Sequence, residues 1–432
     1  MKIHVVGGCG RVHALVWKLL QSMQVTALYC APGNAGIAGE KLLNGDAVVC
    51  FPVGPADVEK QLVLAKEQKP DLVICSEEDP LGLGIVDRFQ AGGFRIWGQN
   101  QRAAKFECSK AWSQWFCEQY GVPCAMGESF RSEADVLAFA RRLRWQCVLK
   151  ADGLALGKGA FVCHTEQEVR DAISVIRKLG PAGELIVVQE LLQGRETSLH
   201  FFCDGRTAQL MPSSVDHKSI GEAGVGPNTG GMGTVSPDPH LTSEEYLDIA
   251  KAIMTPWLIG CKKEGIDFRG VLYPGVMLTA QGPKVLEFNA RFGDSEAQTH
   301  LVRLETDLVE IIQASIDGNL CNLDITWKPG SSVCVVLASK GYPGDSSKEK
   351  GRMISGLNTL TQYPNLKPFH AGTTLREGNV VVNGGRVLGL TTWAETLEEA
   401  RLTAYRAANE IRFGNERPIF RCDIGGPILN LR

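Results

Sequence analysis

No C-x-x-C pair occurs among the 14 cysteines, which stand singly along the chain. That spacing removes the zinc ribbons and the disulfide frameworks of small secreted domains, both of which need paired cysteines. Cys50, Cys75, Cys147, Cys163 and Cys334 sit in apolar runs, where a free thiol acts as a small hydrophobe, so a reducing cytoplasm is the expected setting. No apolar run approaches the ~20 residues that cross a bilayer, and the opening MKIHVVGG reads as a strand rather than a signal peptide. An excess of either charge is also missing. The 45 Lys and Arg stand against 48 Asp and Glu, and a net charge of −3 gives nucleic acid or an anionic membrane no electrostatic hold. Two phosphate signatures are absent as well. The frames starting at Gly7 and Gly8 lack the third glycine of G-x-G-x-x-G, and the loop 153–159 has neither P-loop spacing nor a Ser or Thr after Lys158.

What is present is an ordinary globular composition, 44% hydrophobic and 22% charged, over 432 residues, a length that suggests roughly three domains. The 48 glycines gather in particular loops instead of low-complexity tracts. Residues 1–97 alternate strand and helix: strands near 2–6, 25–29, 71–75 and 95–97, helices from Pro55 to Lys69 and from about 81 to 91. That order means an open parallel sheet with helices on both faces. The turn 7–13, with Gly10, Arg11 and His13, feeds a helix N-terminus suited to a phosphate monoester. Two helices follow, the second opening at Ser109 and Lys110. Strands 146–150 and 160–163 then flank a glycine hairpin that could fold over a triphosphate, with Lys150 at its base and Gly153, Gly157 and Lys158 within it. Capping boxes at 165–168 and 242–245 start two further helices. Glu190 and Glu196 flank a short turn of the kind that grips a nucleoside, and the loop 216–233 reads as a mobile substrate loop. An amphipathic helix is expected over 301–316, and a smaller α+β module from Ser331.

The stretch 285–298, VLEFNARFGDSEAQ, organises the rest. On a strand its Glu287, Asn289 and Arg291 share one face. A carboxylate and a carbonyl oxygen two residues apart suit Mg²⁺ shared with substrate phosphates, and the guanidinium one step on suits a phosphate or carboxylate. An exposed strand edge would carry the same residues, and the string alone does not separate the two.

Taken together, APGNAG at 31–36, KADGLALGKG at 150–159, DHK at 216–218, GPNTGGMG at 226–233, LEFNARFGD at 286–294 and FHAGT at 369–373 resemble the ATP-grasp ligases. Within them they closely resemble the phosphoribosylamine–glycine ligase (glycinamide ribonucleotide synthetase) family, over nearly the whole chain. The resemblance implies an α/β and α+β multidomain fold: an N-terminal α/β domain over 1–103, a two-subdomain ATP-grasp domain over 104–327 with its glycine flap in 123–196, and a C-terminal α+β domain over 328–432. It implies that ATP phosphorylates glycine and that 5-phosphoribosylamine attacks the glycyl phosphate, in de novo purine biosynthesis, in a cytoplasmic monomer. It implies Mg²⁺ or Mn²⁺ on Glu287 and Asn289; Lys110, Lys150 and residues 153–159 on the triphosphate; Glu190, Leu192 and Glu196 on the nucleoside. Arg291, Asp294 and Lys218 would be catalytic. Gly10, Arg11, His13, Pro32, Gly33, Asn34, Glu78, Asp216, His217, Asn228, Thr229 and Gly230 would hold the amine and glycine. The pattern departs from the family at Val12 (usually an acid), Ser76 and Glu77 (usually Gly-Pro), Ser219 (usually basic) and Ser295 (usually Pro). Those departures keep open a related ligase with another amine, or a nucleotide-binding protein without catalysis.

Overall fold

The structure is a computed structural model, and it describes residues 1–153 and 159–427. Strand β1 (Lys2–Gly7) runs into helix α1 (Gly10–Leu19), then β2 (Ala27–Pro32), β3 (Val49–Cys50), α2 (Val58–Gln68), β4 (Leu72–Cys75), α3 (Glu78–Gly82), α4 (Ile85–Ala91) and β5 (Ile96–Trp97). The five strands form one parallel sheet in the order β3-β2-β1-β4-β5. Helix α2 begins three residues after Pro55, because Asp57 caps it by accepting the Lys60 N–H. The helix expected to end at 91 is broken in two at Gly84, whose φ of 80° lies in the left-handed region.

Helices α5 (Gln101–Cys108) and α6 (Lys110–Tyr120) share Ser109, which ends the first and caps the second through the Trp112 N–H. A four-stranded antiparallel sheet follows: β6 (Gly127–Phe130), β7 (Cys147–Ala151), β8 (Ala160–Cys163) and β9 (Ile186–Glu190), in the order β6-β9-β7-β8, backed by α7 (Glu133–Arg142) and α8 (Glu166–Arg177). The capping box predicted at Thr165 is present on α8. Next come β10 (Arg195–Ser198), β11 (Phe201–Asp204), β12 (Ala208–Leu210), β13 (Val215–Asp216) and β14 (Gly233–Ser236). The predicted box at Thr242 opens α9 (Ser243–Glu264), which leads to β15 (Arg269–Thr279) and β16 (Gly282–Asn289). Strands β10, β15, β11 and β12 form a second antiparallel sheet, with β16 paired to β15. Its core centres on Phe106, whose ring lies 4.8 to 6.0 Å from those of Trp112, Phe116, Trp257, Phe268 and Phe288. This aromatic cluster locks α5, α6 and α9 behind β16, so the polar face of β16 has a rigid backing.

In place of one helix over 301–316 there are two, α10 (Glu296–Leu301) and α11 (Leu308–Asp317), because Asp307 caps the second through the Val309 N–H. Both join a core with β1, β2 and α1, so the N-terminal sheet is completed by chain from beyond residue 290. The last module contains β17 (Ser331–Ala338), β18 (Ile354–Ser355), β19 (Leu366–His370), β20 (Thr373–Arg376), β21 (Asn379–Val382), β22 (Arg386–Ala394), α12 (Leu397–Glu410) and β23 (Arg412–Phe413). Its main sheet runs β13-β14-β17-β22-β19 and therefore takes two strands from the middle of the chain, across the division expected at 327. Among the described residues no helix is long and apolar enough to cross a membrane.

Candidate active site

The cleft between the two antiparallel sheets is built around β16. Glu287 is half-buried, and Lys110, the first residue of α6, approaches its carboxylate to 3.4 Å. Lys150, at the end of β7 and 9% exposed, donates to the Leu286 carbonyl at 2.7 Å. Burial works to raise the Glu287 carboxyl, but Lys110, Lys218, Lys150 and Arg291 together hold it well below the carboxylate range. The same burial draws the Lys150 ammonium down to about 8, with Glu287 opposing and Lys110 adding to the effect. Four cations thus act on Glu287, two of them also paired with other acids, Arg291 with Glu107 and Glu78 and Lys218 with Asp216.

Asn289 turns its amide into the strand. Its Nδ2 donates to the Tyr273 carbonyl at 3.3 Å, and its Oδ1 accepts from Arg291 at 3.1 Å. Arg291 also reaches Glu107 at 2.8 Å and Glu78 at 3.3 Å, and Glu78 meets Arg11 at 2.6 Å. Glu107 had no signal in the sequence. It stands in the last turn of α5, behind the end of β16, and also accepts the Ala290 N–H at 2.7 Å. The donor set facing the cleft, one carboxylate with one amide oxygen, is all hard oxygen, and it fits a cation shared with a ligand's phosphates, not a cage of protein side chains. Among the described residues no cluster of three His, Cys, Asp or Glu could hold an ion alone.

The glycine hairpin enters from β7. Asp152 accepts from the Ser109 hydroxyl (3.0 Å) and the Ala111 N–H (3.1 Å), tying the hairpin to the start of α6, and Gly153 has a φ of 152° where a Cβ would stand 2.8 Å from Ala182. Gly157 and Lys158 lie outside the described residues. At the rim, Glu190 accepts from Lys284 at 2.8 Å and from the Met126 N–H at 3.0 Å, and Leu192 follows between β9 and β10. Glu196 on β10 is exposed and close enough to Lys150 and Lys218 to favour their charged forms.

The D-H-K triplet is split by the alternation of a strand. Asp216 and Lys218 face the cleft 3.6 Å apart, and Asp216 Oδ1 is buried without a hydrogen-bond partner. His217 points the other way. Its Nδ1 lies 3.2 Å from the Gly233 carbonyl and its Nε2 accepts from the Gly425 N–H at 3.4 Å, which ties this segment to the C-terminal module. The following glycine loop is also held. The Thr229 hydroxyl donates to the Lys218 carbonyl at 2.7 Å, Asn228 bridges to Ser219, and the Gly230 N–H donates to the Tyr342 hydroxyl at 3.0 Å. Arg386 of β22 donates to the Gly230 and Asp294 carbonyls and stands 3.4 Å from the Asp294 carboxylate. Neither Arg386 nor Tyr342 carried a motif in the sequence.

On the N-terminal side the polar groups pair with one another. Gly10 packs against the end of the β16 loop so closely that a Cβ would sit 2.6 Å from Gln298 and 2.9 Å from Asp294. Pro32 and Gly33 close the β2 turn, where the Gly33 N–H donates to the Gly7 carbonyl at 3.0 Å. Asn34 donates to the Gly8 and His370 carbonyls, both at 2.8 Å, and accepts the Gly36 and Ile37 N–H groups, so it shapes the loop with all its bonding capacity. His13 is 1% exposed, accepts the His370 N–H on Nδ1 and meets Glu40 through Nε2 at 3.0 Å. Both of its nitrogens meet protein groups, and it ties the first module to the last. At the apolar Val12, Glu77 restores an acid to the turn: it accepts the Gly8 N–H at 3.1 Å, and a Cβ on Gly7 would touch both Glu77 and Val12.

A lysine-lined cleft between two antiparallel sheets, with a glycine hairpin from one and an acid–amide–guanidinium row on the other, defines the ATP-grasp class. The same fold is found in the biotin carboxylase domain of a Hydrogenobacter thermophilus 2-oxoglutarate carboxylase, at a TM-score of 0.71 and 15% identity over 95% of this chain and 90% of that one. The N, ATP-grasp (A) and C domains of phosphoribosylglycinamide synthetase match residues 1–107, 108–297 and 332–427. The chain belongs to the phosphoribosylglycinamide synthetase family. It is 41% identical to the phosphoribosylamine–glycine ligase of Caldanaerobacter subterraneus over 98% of this chain and 99% of that one, and 41% identical to that of Vibrio cholerae over 98% of each. The phosphoribosylamine–glycine ligase structure from Thermotoga maritima superposes with a TM-score of 0.84 at 29% identity, over 98% of this chain and all of that one.

Proposed function

We propose that the protein joins glycine to 5-phosphoribosylamine at the expense of ATP, giving glycinamide ribonucleotide, ADP and phosphate. The observation that carries this reading is the ring of Lys110, Lys150, Lys218 and Arg291 around Glu287, a built site for a polyanion, in a chain similar over its full length to phosphoribosylamine–glycine ligases. The triphosphate lies against Lys110 and Lys150 under the hairpin, with the nucleoside at Glu190, Leu192 and Glu196. Glu287 and Asn289 would hold Mg²⁺ or Mn²⁺, which would supply neutralisation of phosphate charge and polarisation of the terminal phosphoryl group. Asn289 would give up its bond with Arg291 for that role, which releases one guanidinium N–H toward the phosphoryl oxygens while Glu107 and Glu78 hold the rest of the group in place.

The rest is positioning and charge. The glycine carboxylate attacks the terminal phosphorus beside Arg291, and the resulting acyl phosphate is held there while the amine approaches from the N-terminal side. Asp216, with one oxygen unpartnered, and Asp294, held against Gly10 by Arg386 and Gln298, receive the N–H groups of the substrates. The sugar phosphate lies at the N-terminus of α1, which has no side-chain cap, beside Arg11. His13, Asn34 and His217 act as positioning residues, and the chain works on small molecules as a soluble monomer in the cytoplasm. The test is ADP release with Mg²⁺, ATP and glycine, with and without phosphoribosylamine generated in place. ADP and amide that appear together only with that amine support the reading; nucleotide binding without amine-dependent ADP overturns it.

A further inference from the structure

Arg11 and Arg291 share one carboxylate oxygen. Glu78, the first residue of α3, accepts from Arg11 Nη2 through Oε2 at 2.6 Å, and the same Oε2 stands 3.3 Å from Arg291 Nε. The two contacts are unequal. The first is a hydrogen bond, but the second lies off the N–H axis, so Arg291 Nε is buried with no hydrogen-bond partner. The rest of that guanidinium is engaged: Nη1 donates to the Phe292 carbonyl at 3.2 Å, and Nη2 meets Asn289 at 3.1 Å and Glu107 at 2.8 Å. Nε alone keeps the cost of its desolvation with no bond to offset it.

The surroundings of this carboxylate are fixed. The Phe292 N–H donates to the Ser76 hydroxyl at 3.3 Å and its carbonyl accepts from Arg11 Nη1 at 2.8 Å, so the backbone beside Arg291 is clamped from both sides. Arg11 is steadied again by its Nε, 3.3 Å from the Cys9 sulfur. Glu78 is the freer member, its side chain 22% exposed against 7% for that of Arg11. Resting on the ligase reading above, we propose that Glu78 is a positioning residue shared by the two substrate sites: a sugar phosphate at Arg11 turns it toward Arg291, and the completed Glu78–Arg291 bond sets that guanidinium for phosphoryl transfer.

The oxygen aimed at Arg11 cannot also lie on the Nε axis of Arg291, so one bond is strengthened as the other is loosened. A phosphate at the start of α1 competes with Glu78 for Arg11 Nη2 and repels the carboxylate by charge. Arg11 stays in place on the Phe292 carbonyl, and Glu78 moves the short way onto Arg291 Nε. Arg291 is then gripped from two sides, by Glu107 on Nη2 and by Glu78 on Nε, and the N–H that Asn289 releases keeps its direction toward the phosphoryl oxygens. Phosphorylation of glycine is thereby slow until the amine site is filled. The acyl phosphate forms with its acceptor at hand instead of being lost to water.

The experiment follows the phosphoryl step alone, as glycine-dependent positional isotope exchange in ATP labelled at the β,γ-bridging oxygen, with Mg²⁺ and the full chain. It is run with and without ribose 5-phosphate in ammonia-free buffer, which supplies the sugar phosphate and no amine. Exchange should rise roughly tenfold with the sugar phosphate, an ordinary size for coupling between two sites. Glu78→Gln keeps the shape and should lose that rise. Arg11→Gln should act in the opposite direction: Glu78 then has one guanidinium left, so exchange without sugar phosphate starts severalfold above the parent and no longer responds. A merely structural ion pair gives no such opposition, since breaking it from either end lowers the rate alike. Glu78→Gln carries the test by itself if Arg11→Gln does not fold. The coupling is overturned if the sugar phosphate leaves the parent rate unchanged, if Glu78→Gln responds as the parent does, or if a folded Arg11→Gln starts slower than the parent. The ligase reading fails separately, when phosphoribosylamine and glycine draw no ADP from a protein that binds Mg·ATP.

Discussion

The two sides of the cleft are satisfied to different degrees. On the side of Lys110 and Lys150, four cations act on Glu287, and Asp216 keeps a buried oxygen without a partner. On the N-terminal side, Asn34 has used all of its bonding capacity, His13 both of its nitrogens, and Arg11 is spoken for by Glu78 and the Phe292 carbonyl. The first side gathers cations around a cleft and leaves a polar atom unmatched there. The second is a finished frame in which turns, not free charges, present the backbone to a ligand. Affinity and turnover should therefore be lost on one side and stability on the other.

Glu287→Gln is the hardest test. It keeps the shape and deletes the charge on which the cations converge, so turnover should fall by about a thousandfold or more while the melting temperature holds. A near-normal rate would remove Glu287 from the chemistry. Lys150→Ala should weaken Mg·ATP roughly a hundredfold and leave the glycine KM within a few-fold, since it truncates a buried charge that the proposed function sets against the triphosphate; equal losses for both substrates would break the assignment.

The frame is probed by Glu40→Gln. Burial raises the Glu40 carboxyl, but hydrogen bonds from His13 and Lys367 outweigh it and hold the group at about 2 against an ordinary 4.5. A depressed acid stabilises the fold above its unfolded pKa, and that contribution is lost as pH falls from 4.5 toward 2. Urea unfolding at pH 7 should show a loss of about 3 kcal/mol in the variant, and the gap to the parent should close across that acid window. kcat should change little, and a large kcat loss at unchanged stability would blur the contrast between the two sides. The mildest change is Glu77→Gln, which keeps the acceptor for the Gly8 N–H. The phosphoribosylamine KM should move by about twofold or threefold at most, the scale of a retained hydrogen bond. A larger shift would mean that the charge at this turn, and not the bond, is what the amine needs.

The sequence made legible what is local. Ser109, Thr165 and Thr242 cap helices where their spacing predicted, the glycine hairpin joins β7 to β8, and Glu287 and Asn289 share a strand face. It misplaced breaks that depend on one competing cap, as at Asp57 and Asp307. It could not reveal partners distant along the chain: Glu107 meets Arg291, and Arg386 meets Gly230 and Asp294, without a shared pattern. The ring partners of His13 and His217 were hidden for a related reason. A histidine in a functional motif looks the same whether its ring faces ligand or packing, and only the neighbours of each ring, His370 and Gly425, decide.

The sheet that supports the Asp216–Lys218 segment has a consequence for synthesis. Its strands β13 and β14 emerge from the ribosome with their partner missing, because Val235 pairs with Val333, roughly a hundred residues later. Tyr342 and Arg386, which fasten the glycine loop, arrive later still. A nascent chain can thus pair the strands of the sheet that carries Lys150 well before the segment that carries Lys218 has its scaffold.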